Sequence, residues 1–341
     1  MIMNTAIFSA HKFEKDFFEQ ANKEFGHALT FFDARLDEQT ASLAKGYDAV
    51  CAFVNDRLDE KTLQQLKTQG TRLIALRSAG FNHVDLNTAA KLELPIVRVP
   101  EYSPYAVAEH AVSLLLTLNR KTHRAYNRVR ESNFNLDGLV GFDMHGKTVG
   151  VIGTGKIGAV FASIMKGFGC RVLAYDLTPD TVLQKTHGVE YVGLEQLYKT
   201  SDVVSLHVPL TPQTKHLIDE NVFKQMKHGA ILINTGRGAL VDTHALIVAL
   251  KCGTLGAAGL DVYEEEEGIF FQDLSEKVLQ DDVLARLLTF PNVLITSHQA
   301  FLTVEALLNI ASTTLKNISD FEKGRKLINE VHAETHTAKP A

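Results

Sequence analysis

The chain has 341 residues, 45% of them hydrophobic and 22% charged, with a formal net charge of −5. That length suggests two domains, and a mildly acidic chain offers no basic field for nucleic acid or an anionic membrane. No apolar run approaches the roughly 18 residues of a membrane span, and the start MIMNTAIFSAHKFEKDFF lacks the basic end and apolar core of a signal peptide. Cys51, Cys170 and Cys252 are scattered and read as free thiols in a reducing cytoplasm. No metal site is expected.

In chain order, residues 5–9, 29–32, 49–54, 73–76 and 96–99 are short apolar runs, separated by helices such as 13–25 and 59–68. Strands alternating with helices predict a parallel sheet covered on both faces. This first unit has no phosphate-binding glycine turn and suits a substrate domain. Ser103 can then cap a helix and Pro104 suits its first turn. Val107, Ala111, Leu114, Leu115 and Leu118 give that helix an apolar stripe. It is expected to hinge the two domains, its stripe serving as core or as an oligomer contact.

Residues 147–176, KTVGVIGTGKIGAVFASIMKGFGCRVLAYD, read as strand, glycine turn, helix and strand. Gly153 allows the tight turn, Gly155 lets a pyrophosphate approach the backbone, and Gly158 lets the helix pack on the sheet. The helix N-terminus offers N–H groups to phosphates, and the helix presents Val160, Phe161, Ile164 and Phe168 at helical spacing. Asp176 ends the second strand, where a carboxylate bonds ribose hydroxyls and repels a 2′-phosphate. NAD is therefore the expected cofactor rather than NADP.

Residues 189–192, 203–207, 230–234, 257–260 and 293–296 read as further strands, with helices at 221–226 and 243–251. Together they predict a six- to seven-stranded doubly wound sheet with its ligand at the C-terminal strand ends. The last helix, 303–324, is expected to return to the first domain. The expected fold is α/β, two Rossmann-like or flavodoxin-like domains with parallel sheets and a cleft between them. The substrate domain would take 1–101 plus 299–332 and the NAD-binding Rossmann domain 102–298, leaving a disordered tail at 333–341.

Three strand ends carry candidate chemistry. In NTGRGA, Arg237 stands between Gly236 and Gly238, where a planar fork can hold a carboxylate. In GLDVYEEEE, Asp261 ends a strand and residues 264–267 are an acid run, three of which read as a solvated loop. In TSHQAF, His298 follows the last strand. Hydride transfer to a 2-oxo acid needs a cationic clamp, a proton donor and a partner that keeps the donor charged. Arginine, histidine and glutamate are the side chains that chemistry requires.

With VIGTGKIG, SLHVPLTPQTKHLI, GAILINTGRGALVD, GLDVYEEE and ITSHQAF, the chain resembles the D-isomer-specific 2-hydroxyacid dehydrogenases over residues 4–330. LIALRSAGFNHVDL and the FFQD insert look like the fermentative branch that interconverts pyruvate and D-lactate. The resemblance implies that Arg237 binds the substrate carboxylate, that His298 is the proton donor, and that Glu266 orients its imidazole. It implies that Ser78, Ala79 and Gly80 present backbone N–H groups to the carboxylate, with the Tyr102 hydroxyl nearby and Phe53 shortening the pocket. Gly153, Gly155, Lys156, Ile157, Gly158, Asp176, Val208, Pro209, Thr214, Thr235, Gly236 and Asp261 match cofactor contacts; at Thr214 some relatives have asparagine. A homodimer or homotetramer is implied. The alternatives are a relative acting on a bulkier 2-oxo acid such as phenylpyruvate, or an NADH-sensing protein similar to corepressors.

Overall fold

Apolar runs of two to six residues, rich in β-branched side chains and closed by polar turns, are too short for helices and pair as strands. The computed structural model describes residues 2–333. By contact they divide into two units: one holds the chain up to Ser103 and again from Phe301, and the other runs Pro104–Ala300. The tail expected to be disordered lies, from residue 334, outside the described residues.

The first unit contains β1 (Asn4–Ile7), β2 (Ala28–Phe31), β3 (Ala49–Ala52), β4 (Leu73–Leu76) and β5 (Ile96–Val97). Their order is β2-β1-β3-β4-β5, all parallel, which is the flavodoxin-like arrangement. β3 and β4 are buried at every position, as central parallel strands covered on both faces must be. Alternate side chains feed two cores. Ala6, Val50, Ala52, Ile74 and Leu76 enter one; Ile7, Ala49, Cys51, Leu73 and Ala75 enter the other. The second core is closed by Phe18 and Ala21 of the helix Lys12–Phe25 and by Ala311, Leu315 and Ile318 of the helix Val304–Glu322. The last helix thus returns to the first sheet.

The second unit contains β6 (Thr148–Ile152), β7 (Arg171–Tyr175), β8 (Glu190–Tyr191), β9 (Val203–Leu206), β10 (Ala230–Asn234), β11 (Leu255–Leu260) and β12 (Val293–Ile295). Their order is β12-β11-β10-β9-β6-β7-β8, all parallel: a doubly wound Rossmann sheet extended by one strand. Its register is unusually informative. Tyr175, Ile152, Leu206, Asn234, Leu260 and Ile295 pair across six neighbouring strands and end them at one level.

The helix Pro104–Arg120 buries Val107, Ala111, Leu114, Leu115 and Leu118. Its leucines join Val149, Val151, Ile231 and Ile233 in the core of this unit, so the stripe is core. The helix Lys156–Gly167 buries Gly158, Phe161, Ala162 and Met165, with Val160 and Ile164 partly buried against the same core; of the expected stripe only Phe168 departs, as the C-cap, 38% exposed. Gly158 sets this facing. A Cβ there would lie 1.9 Å from the Gly153 carbonyl oxygen, so this face must turn inward and fixes the rotation of the helix.

Candidate active site

Each motif of the second unit begins directly after the terminal row of its sheet. Gly153 follows Ile152, Asp176 follows Tyr175, His207 and Val208 follow Leu206, Thr235 follows Asn234, Asp261 follows Leu260, and Thr296 follows Ile295. Parallel strands ending in register therefore gather residues far apart in sequence along one edge.

At β6 the turn is built as the glycines predict. Gly153 has φ +91°, and a Cβ on it would meet the His207 carbonyl oxygen at 2.6 Å and the Val208 side chain at 2.8 Å. Gly155 is the N-cap of the helix, and a Cβ there would meet nothing within 4 Å, which leaves room for a phosphate before the first N–H groups. Lys156 is exposed and Ile157 half-buried at that helix start. The Asp176 carboxylate accepts the Thr154 N–H (2.6 Å) and hydroxyl (3.1 Å) on one oxygen and the Thr178 N–H (2.9 Å) on the other. The Thr235 hydroxyl is buried without a hydrogen-bond partner among the described residues. An open cradle at Gly155, a fixed carboxylate at Asp176 and an unsatisfied buried hydroxyl at Thr235 fit NAD. Thr214 fits less directly, since its hydroxyl donates to the Pro209 carbonyl (2.7 Å) and accepts the Thr211 N–H (2.7 Å).

The three candidate side chains follow β10, β11 and β12. Arg237 is half-buried; it donates to the Gly236 carbonyl (2.7 Å) and forms no ion pair among the described residues. Asn234 holds the turn by donating to the Arg237 carbonyl (2.8 Å) and accepting the Gly236 N–H (3.0 Å). Gly238 lies on the next loop, where a Cβ would sit 2.0 Å from the Tyr263 carbonyl carbon. That approach packs the Arg237 turn against the acid run. There, Glu266 accepts His298 Nδ1 at 2.7 Å on one oxygen and the Tyr263 N–H at 3.1 Å on the other. A carboxylate partner fixes the hydrogen on Nδ1 and leaves Nε2 for chemistry. The His298 backbone is left-handed (φ +49°), held by its N–H to the Asp261 carbonyl at 2.7 Å. Phe271, from the FFQD insert, packs its ring 5.9 Å from the imidazole.

Asp261, expected as a cofactor contact, has a side chain that is 0% exposed. It accepts the Thr296 hydroxyl (2.6 Å) and the N–H groups of Gln299 (2.8 Å) and Ala300 (2.8 Å), with His110 Nε2 3.3 Å away. Burial opposes its charge, but the bonds from His110, Thr296 and Ala300 prevail and hold the carboxyl below the usual range. Its work in this structure is to fix the backbone around His298. The acid run holds a second surprise: Glu264, read as solvated, accepts His216 Nε2 at 2.6 Å and the Thr243 hydroxyl at 3.1 Å. Neither His110 nor His216 was legible as a partner, because each lies far along the chain from the acid it meets.

The remaining predicted residues belong to the first unit, at its C-terminal strand ends. The Ser78 hydroxyl donates to the Gly80 carbonyl (2.7 Å), and Arg98 donates to the Ala79 carbonyl (2.7 Å), which shapes the 78–80 loop. Tyr102 packs its ring 6.3 Å from Phe301. Phe53 is 3% exposed, with its ring 4.6 Å from the Arg77 guanidinium.

Residues 112–300 match the model of the D-isomer specific 2-hydroxyacid dehydrogenase NAD-binding domain. The D-lactate dehydrogenase of Escherichia coli strain K12 is 53% identical over 96% of this chain and 100% of its own. The chain belongs to the D-isomer specific 2-hydroxyacid dehydrogenases. Among solved members of this family, the apo D-lactate dehydrogenase of E. coli superposes with a TM-score of 0.89 at 51% identity, covering 96% of this chain and 100% of that one. The pyruvate reductase of Chlamydomonas reinhardtii superposes with a TM-score of 0.91 at 46% identity, covering 96% and 98%. Like other 2-hydroxyacid dehydrogenases of this family, the chain is an NAD-dependent oxidoreductase.

Proposed function

We propose that the chain reduces pyruvate to D-lactate, and that the observation carrying this reading is the His298–Glu266 pair on the same sheet edge as an arginine without a carboxylate partner among the described residues. When bound, NADH supplies the hydride for the pyruvate carbonyl carbon. Arg237 takes the substrate carboxylate in its fork and polarises the neighbouring carbonyl. His298 gives the Nε2 proton to the carbonyl oxygen as charge develops there, and takes it back from the lactate hydroxyl in the reverse direction. Glu266, itself anchored by the Tyr263 N–H, keeps the ring oriented. Ser78, Ala79, Gly80 and Tyr102 complete the carboxylate site, and Phe53 limits the substrate side chain. The E. coli and Chlamydomonas relatives support the choice of pyruvate.

A trace of NADH absorbance with pyruvate, followed by assay of the product's configuration, tests this. NADH should be consumed and D-lactate formed; an L product would overturn the reading. Phenylpyruvate turning over faster than pyruvate would move the assignment to a bulkier 2-oxo acid. His298→Ala should lower turnover by roughly 10²–10⁴-fold, the scale of a positioned acid.

The working form is a homodimer, or a tetramer built from it. Tyr126, Val129, Phe134, Leu136 and Val140 are all more than half exposed along one arm of the second unit, an apolar surface of the kind that pairs. The compartment is the cytoplasm, in keeping with three cysteines that are all free thiols.

A further inference from the structure

Under the sheet edge of the first unit lies a charge network that the proposed chemistry does not use. Arg77 directly follows β4, and its side chain is 0% exposed. Its Nε donates to Glu14 Oε1 at 2.9 Å, and its Nη2 donates to Glu14 Oε2 at 3.2 Å and to the Ser9 carbonyl at 2.7 Å. Nη1 points at Cys51 Sγ, 4.0 Å away. These bonds lie in the guanidinium plane and fix that plane. The guanidinium's central carbon lies over the face of the Phe53 ring, 4.6 Å from the centroid. The Phe53 backbone is fixed as well, since its N–H donates to the buried Asp56 carboxylate at 2.6 Å. His11 (5.2 Å) and Phe301 (6.4 Å) close the ring's other sides.

A fully buried ion pair is a poor stabiliser, because removing two charges from water offsets most of their attraction; apolar side chains of the same size often do as well. What the pair supplies is direction. A planar cation clamped at its rim has a fixed place and orientation, and an aromatic ring whose face is held against it cannot move away without losing the contact. We propose that Arg77, locked by Glu14, is a positioning residue that sets the Phe53 ring and thereby the size limit for the substrate side chain. This rests on the reading of Phe53 as the wall of the 2-oxo acid pocket.

The test is kcat/KM for pyruvate and for 2-oxohexanoate, a linear acid with a longer side chain. It is measured in the wild type, Arg77→Met, Arg77→Lys, Glu14→Gln, Phe53→Ala and the double variant Arg77→Met/Phe53→Ala. Arg77→Met fills similar volume without the planar cation and should raise the 2-oxohexanoate-to-pyruvate ratio roughly tenfold, the effect of about one methylene of extra room. Arg77→Lys, which keeps the charge but not the plane, should do the same, and Glu14→Gln should move the ratio less in the same direction. In the Phe53→Ala background, Arg77→Met should add nothing to the ratio, because its effect passes through the ring. An unchanged ratio in Arg77→Met, or an equal change in both backgrounds, would overturn the proposal while leaving the pocket reading intact. If Arg77→Met does not fold, the same ratio in Arg77→Lys decides. If Phe53→Ala itself leaves the ratio at the wild-type value, the pocket reading fails and the proposal fails with it.

Discussion

Among the described residues Arg237 meets no carboxylate: its side chain bonds the Gly236 carbonyl while Asn234 pins the turn beneath it. The fork, rather than its charge alone, is what a planar carboxylate recognises. Arg237→Lys should therefore lower kcat/KM for pyruvate by roughly 10²-fold, with a circular dichroism spectrum like that of the wild type. A loss of threefold or less would remove the two-bond clamp from the mechanism. Single residues were the most legible scale of this protein where short motifs fixed their surroundings. Gly153, Gly158, Arg237 and His298 each stand where their motif placed them. Legibility failed for partners supplied from a distance. Glu264 meets His216, Asp261 meets His110, and Arg77 meets Glu14. Nothing in the local sequence around either member of these pairs announces the other.

Among the elements, the turn after β10 and the acid run after β11 behave as one piece because Gly238 lets their backbones touch. Gly238→Ala would push Tyr263 and Glu264 away, and with them the loop that carries Glu266. The expected cost is about 1–3 kcal/mol of stability, the range for overpacking, together with a fall in turnover. Thermal melts and steady-state rates would check it; unchanged values in both would mean that the loops adjust freely. The turn after β9 carries a different signal. Burial pushes the His207 imidazole down to about 3, and the ring sits 2.9 Å from the Ser205 hydroxyl and 5.0 Å from Phe161. The unfolded chain takes up a proton near the ordinary value of 6.5 that the folded chain refuses. Stability should then fall as pH drops from about 6.5 toward 3, by at most about 1.4 kcal/mol per unit. His207→Gln should flatten that slope in urea melts taken across the same range. A parallel decline in both proteins would place the acid sensitivity elsewhere. The strands themselves were legible from their apolar runs. In the helix after the glycine turn Val160, Phe161 and Ile164 were legible as core-packed, and only Phe168, which falls at the C-cap, was not.

At the scale of the whole molecule, the alternation of strands and helices announced two parallel sheets, and both are present. What alternation cannot express is register, and register gathers the candidate residues of the second unit: six strands stopping at one level bring residues between 152 and 296 along the chain to a common edge. The exposed apolar arm was not legible either, because in sequence its side chains are of the same types as core residues and only their exposure sets them apart. If the proposed dimer forms through this arm, Leu136→Ser combined with Val140→Ser should convert it to monomer in sedimentation velocity, at micromolar protein. A dimer persisting in that variant would put the interface on another face. The left-handed backbone at His298 carries a last consequence. A side chain with a Cβ is disfavoured in that conformation, and glycine would relax it. A screen for heat resistance alone would thus be drawn to glycine at the very residue proposed to deliver the proton, and on that mechanism the hardiest variants it returned would be inert.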